Sequence, residues 1–138
     1  MRKILVFGTV FIFLVGCKDK SPKEISLDSG LSYEILKQGS GSKAIVGDEV
    51  IIHETMGYRD GTVLYSTEGK GVNLPKFVIG RKQVIEGVEK GVTGMRIGEV
   101  RKLIVPPNLS RREVYPKFIS PDSTLVYTIK LVTINKTY

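Results

Sequence analysis

Apolar and polar positions alternate along most of the chain after Gly30. In Leu31–Gln38 (LSYEILKQ), Leu31, Tyr33 and Ile35 recur at every second residue, the period of a half-buried strand. The following GSGSKAIVGDE, residues 39–49, is rich in turn residues and predicts a loop. Glu49–Tyr58 (EVIIHETMGY) predicts the next strand. Arg59-Asp60-Gly61-Thr62 supplies hairpin-turn chemistry, so Val63–Ser66 is expected to pair back. Lys76–Ile79 reads as a brief strand stopped by Gly80, and Ser123–Ile134 as a long final one.

Val84–Pro107 breaks this period. Val84, Ile85, Val88 and Val92 fall on one face of a helix. Gly91 or Gly94 suits a left-handed C-terminal cap. Gly87 sits inside the helix, where it costs about 1 kcal/mol against alanine. A glycine kept at that cost predicts close approach by another element. Gly98 gives a tight return into a strand over Glu99–Val105, and Pro106 and Pro107 end it because proline cannot continue a ladder. The expected architecture is α+β, a twisted antiparallel sheet across one short helix.

The chain has 138 residues, enough for one domain. Its first sixteen residues differ from the rest. Arg2 and Lys3 precede a short uncharged run, ILVFGTVFIFLVG, and a spanning helix needs about 20 apolar residues. A basic start with a short apolar run reads as a signal peptide. It ends at Leu14-Val15-Gly16-Cys17, which resembles the lipobox of bacterial lipoproteins, and Cys17 is the only cysteine. Residues 1–16 are therefore expected to be a signal peptide, with Cys17 lipidated. Residues 17–29, polar and without apolar period, are expected to form a tether, and residues 30–138 the domain. Lys18 after the cysteine resembles outer-membrane sorting facing the periplasm. The charged CKDK start also resembles a surface-export signal, so the face of the membrane stays open.

A lone cysteine excludes an internal disulfide. The formal charge is +7; without Arg2 and Lys3, 19 basic side chains face 14 acidic ones, leaving +5. The basic residues are scattered, which reads as a solvated surface rather than a nucleic-acid stripe. His53, the only histidine, lacks neighbours in sequence that would make it a metal ligand or general base. No metal spacing, phosphate loop or hydrolase triad is present, and no cofactor is expected.

Three blocks then carry a resemblance. They are VIEGVEKGVTGMRIGEVRKLIVPP (Val84–Pro107), VIIHETMGYRDGTVLYST (Val50–Thr67) and PDSTLVYTIKLV (Pro121–Val132). In this order they resemble the FKBP-type peptidyl-prolyl cis/trans isomerases. The resemblance implies a substrate pocket between helix and sheet, and an isomerase acting on proline-containing segments of exported proteins. It implies no acid/base catalyst.

Carried over residue by residue, the resemblance places Val84 and Ile85 at the pocket, with the Ile85 amide contacting ligand. It also places Ile119, Phe77 and Tyr127 there, the last where phenylalanine is usual. Val88 stands on the floor in place of tryptophan. Glu54 and Arg111 replace two pocket tyrosines, Leu64 a phenylalanine, Tyr65 an aspartate and Pro75 an aromatic. Replacing an aromatic wall in this way costs about 0.5–1.5 kcal/mol per ring beyond its area. A Glu54–Arg111 ion pair across the mouth is expected to offset burial of the carboxylate.

Two further readings stay open. One is a binding or chaperone module with reduced catalysis. The other is a structural lipoprotein of an envelope secretion or surface-motility complex. A monomer is expected in either case.

Overall fold

The alternating segments pair into one antiparallel sheet with a short helix across it. The structure is a computed structural model and describes residues 21–27, 29–69 and 73–137. Its strands are β1 (Glu24–Ser26), β2 (Ser32–Lys37), β3 (Ser40–Lys43), β4 (Glu49–Tyr58), β5 (Val63–Ser66), β6 (Lys76–Val78), β7 (Arg96–Ile97), β8 (Val100–Val105) and β9 (Leu125–Asn135). Helix α1 spans Glu86–Val92, and a 3-10 turn spans Pro107–Leu109. The sheet runs β1-β2-β8-β9-β4-β5, with β6 also on β4, and β3 pairs separately with β7.

β4 and β5 have the bounds that their alternation predicts. The turn between them closes as expected, with Thr62 N–H on Asp60 Oδ1 (2.9 Å) and Gly61 at φ +92°. Two strands carry no such signal. All of β3 is exposed, so no apolar alternation marks it within the turn-rich stretch. β1 is three residues long, too short for a period, yet Ile25 pairs with Tyr33. Part of the expected tether is therefore sheet, and the ordered fold begins before Gly30.

The helix begins two residues later than its apolar face suggests. Ile85 is extended (φ −61°, ψ 149°) and caps α1, which leaves Val84 and Ile85 in the approaching loop. Glu86 and Glu89 in the first turn suit the helix dipole, and Glu86 pairs with Lys90 one turn on (2.6 Å). Val88 and Val92 are buried beneath; burying such a side chain contributes roughly 1.5–3 kcal/mol.

The interior glycines and the closing one do different work. A Cβ on Gly87 would lie 2.4 Å from Val105 Cγ1, and one on Gly91 2.3 Å from Leu103 Cδ1. These two let α1 lie directly on β8. Gly94, at φ +83°, reverses the chain after Thr93 N–H has bonded Glu89 O. Under the helix the inward residues of β8 (Leu103, Val105), β9 (Leu125, Tyr127, Ile129, Leu131) and β4 (Val50, Ile52, Met56) form one core.

Candidate active site

A cleft of about 510 Å³ opens between the start of α1 and the sheet. Alternation along β4 produces its most unusual member. Val50, Ile52 and Met56 are core residues, and Glu54 occupies the inward position between Ile52 and Met56. Tyr127 lies opposite Met56 on β9, one diagonal from Glu54. Val88 rises from α1 to complete the floor, and Val84, Ile85 and Pro75 form the adjoining wall. Lys82, Gln83, Arg111, Arg112 and Glu113 make the rim.

The wall loop is held by side-chain bonds to its backbone. Glu89 Oε1 accepts both Gly80 N–H (2.9 Å) and Lys82 N–H (3.0 Å). Gln83 Oε1 accepts Val78 N–H (2.8 Å). Lys82 takes φ +55°, a left-handed conformation uncommon outside glycine. Val84 and Ile85 are thus presented from a fixed loop. Ile85 O accepts Val88 N–H and Glu89 N–H, whereas no protein group among the described residues takes the Ile85 N–H.

The opposite loop, between the 3-10 turn and β9, is tied to β4 by Tyr58. Its hydroxyl donates to Phe118 O and accepts from Ser120 N–H, both at 3.1 Å. From this loop Arg112 reaches inward. Its guanidinium donates to Ser110 O (2.8 Å) and to the Tyr127 hydroxyl (2.9 Å), and lies 3.8 Å from Met56 Sδ.

This overturns the expected Glu54–Arg111 pairing. Arg112, not Arg111, is the cation whose field reaches Glu54. Its bonds to Ser110 and Tyr127 turn it toward the sheet, while Arg111 stays exposed on the rim. Neither arginine forms a direct ion pair with Glu54. Burial therefore dominates and raises the Glu54 carboxyl above its ordinary range, with Arg112 opposing it. Burial likewise raises the Tyr127 phenol; Arg112 pulls it down and Glu54 pushes it up.

The structure brings together Val84, Ile85, Val88, Tyr127, Glu54 and Arg111 around this cleft. Phe77, Ile119, Leu64 and Tyr65 do not line it. Phe77 sits opposite Val50 and is buried with it in the core. Ile119 is also a core residue, Leu64 packs against the core, and Tyr65 is exposed on β5. Cys17 lies outside the described residues. Arg112, Lys82, Gln83 and Glu113 are lining residues that the motif blocks do not single out. The inward position of Glu54 on an otherwise apolar face was a signal that a cation must be near, though not which one.

Residues 40–132 match the family model for FKBP-type peptidyl-prolyl cis-trans isomerases. The chain belongs to this family. It is 36% identical over 137 residues to FK506-binding protein 2 of Yarrowia lipolytica, covering 98% of this chain and 94% of that one. It is 31% identical to the peptidyl-prolyl cis-trans isomerase Mip of Coxiella burnetii, covering 90% of this chain and 53% of that one. The fold superposes on FkpA of Escherichia coli with a TM-score of 0.73 at 25% identity, over 85% of this chain and 54% of that one. The chain thus spans about half the length of the two bacterial FKBP-type proteins. FKBP-type isomerases act on proline-containing peptides. Its antiparallel sheet with one short helix is the FKBP fold.

Proposed function

We propose that the cleft over Val88 and Tyr127 is where this FKBP-type isomerase turns the bond preceding proline, on exported proteins at a membrane to which Cys17 tethers it. Rotation about that bond faces a barrier of about 18–20 kcal/mol. The twisted transition state has lost amide resonance and is less polar than the planar amide. An apolar floor that excludes water favours it over the ground state. In this reading Val84, Ile85, Val88 and Tyr127 hold the proline ring. The free Ile85 N–H donates to a substrate carbonyl and fixes its orientation while the bond turns. No proton transfer is required.

The observation that carries the reading is the juxtaposition of that free N–H with the apolar floor. The charged rim favours a second reading, a binding module with slowed turnover, because Glu54 and Arg111 stand where the family carries tyrosines. NMR exchange on short proline peptides separates the two, comparing the full-length protein with a variant carrying Glu54→Tyr and Arg111→Tyr. Exchange above the uncatalysed rate in the wild type supports the isomerase. Background exchange that the double variant rescues supports the binding module.

The membrane reading rests on the basic start, the short apolar run and Cys17. Six residues, 18–23, lie between Cys17 and the first residue of β1, so the seven steps reach at most about 25 Å. In this reading the domain works close to the bilayer, on clients that emerge there. One acyl chain holds only marginally, so stable anchoring takes more than one. Mass spectrometry of the mature N-terminus tests this: an acylated Cys17 supports it, and an intact Met1 or unmodified Cys17 overturns it.

A further inference from the structure

The cleft has a neighbour. A second cavity, about 530 Å³, lies on the other side of Arg111 and Arg112 and shares both side chains with it. Its remaining walls are Pro107, Tyr115 and Pro121, with Asn108 and Asp122 as the polar members. The two cavities adjoin at these arginines, and each is large enough to take several side chains or a short stretch of peptide. The two arginines differ in what they have left to give. Arg112 is committed to Ser110 and Tyr127. Arg111 is exposed, and among the described residues it makes no hydrogen bond or ion pair. A guanidinium has five donors in a planar fork that fits a carboxylate.

We propose that the second cavity is an extended subsite for the polypeptide substrate, taking the segment that flanks the proline and selecting an acidic side chain there through Arg111. The inference rests on the isomerase reading of the first cleft. Adjacency supports the choice of occupant, because a peptide seated against Val84 and Ile85 in the first cleft would reach the second cavity by passing over Arg111. Charge supports the choice of side chain. Two guanidiniums face one carboxylate, Asp122, in the second cavity. In the first, the carboxylates are Glu54 and Glu113, and neither forms an ion pair with Arg111.

The test uses full-length protein and two peptide lengths. The short peptide is Ala-Pro-Ala, capped at both ends. The long peptides extend it by five residues on each side, with Glu or Lys placed in turn two to five residues from the proline. Backbone amide shifts are followed on titration, together with exchange rates. The expectation is that the short peptide moves Val84 and Ile85, whereas long acidic peptides also move Asn108 and Tyr115. At one position Glu should exceed Lys in kcat/KM by about two- to fivefold, the size of an exposed ion pair. High salt should erase the ratio. Arg111→Ala should bring it to one, Arg111→Lys should keep part of it, and Asp122→Asn should raise it, whatever happens to the rate common to both peptides.

Equal treatment of Glu and Lys peptides, or long-peptide shifts confined to the first cleft, would overturn the subsite. Failure of the short peptide to exchange counts against the isomerase reading alone. The shifts of Asn108 and Tyr115 with the long acidic peptide still decide the second cavity.

Discussion

Two carboxylate–arginine couples sit near opposite ends of α1, and they are built to opposite purposes. Glu99 and Arg101 lie beyond the far end of α1, both nearly inaccessible. Arg101 Nε meets Glu99 Oε1 at 2.6 Å, and Glu99 Oε2 accepts Arg96 N–H at 2.9 Å. The rest of the guanidinium donates to Gly91 O (3.0 Å) and Thr93 O (3.3 Å) and lies over the Tyr33 ring, 4.3 Å from its centroid. Its hydrogen bonds tie the end of α1 to the sheet. Glu54 and Arg112, at the other end of the helix, form no direct ion pair and face an open cleft. Buried charge with its partners in place positions a helix. Half-buried charge without a direct partner stays responsive to whatever enters.

Breaking the closed couple should have the largest effect. Arg101→Met leaves the Glu99 carboxylate buried without its counter-charge and should cost about 3–5 kcal/mol, read as a lower midpoint in urea unfolding. Adding Glu99→Leu should recover much of that loss, because the lone buried charge is gone. A single variant as stable as wild type would show that the couple does not hold α1 in place.

Breaking the open couple should reverse the balance. Arg112→Met removes one half-buried cation and its bond to Tyr127, with a stability loss of about 1 kcal/mol. Its effect on kcat/KM for a proline peptide should be the larger one, a fall of roughly tenfold, since the Tyr127 hydroxyl and Glu54 then face the floor without it. Equal losses of stability and of kcat/KM would make Arg112 another structural clasp.

The contrast also marks what the sequence could reveal. β4 and β5 were legible because long alternation and an Asp-Gly turn agree locally. Gly87 was legible as a packing glycine because its cost demanded a close neighbour, and Val105 is that neighbour. The Glu99–Arg101 couple was not anticipated: Arg101 shares the buried face of β8 with Leu103 and Val105, but Glu99 stands in the turn before the strand, where no period marks it. Arg111 and Arg112 could not be told apart, because they are adjacent in an irregular loop where no period fixes direction. Only the bonds to Ser110 and Tyr127 decide which one turns inward. Phe77 shows the opposite failure: family position put it at the pocket, and pairing with Val50 puts it in the core.

The subtlest effect belongs to the cleft couple and is its response to pH. Glu54 has a raised pKa in the folded chain, because burial outweighs the field of Arg112. Below its ordinary value of 4.5 the group is neutral both folded and unfolded, and it does not tilt the balance. As pH rises past that value the unfolded chain ionises first, so the fold loses stability until the raised folded pKa is passed. Glu54→Gln cannot ionise and should not show this loss. Its stability relative to wild type should therefore climb with pH above 4.5 and then level, read from urea midpoints across a pH series. The climb should steepen in an Arg112→Met background, where nothing opposes the effect of burial. A difference that grew instead as pH fell would mean that Arg112 outweighs burial at Glu54. The cleft couple would then act as a pair of charges despite the lack of a direct contact.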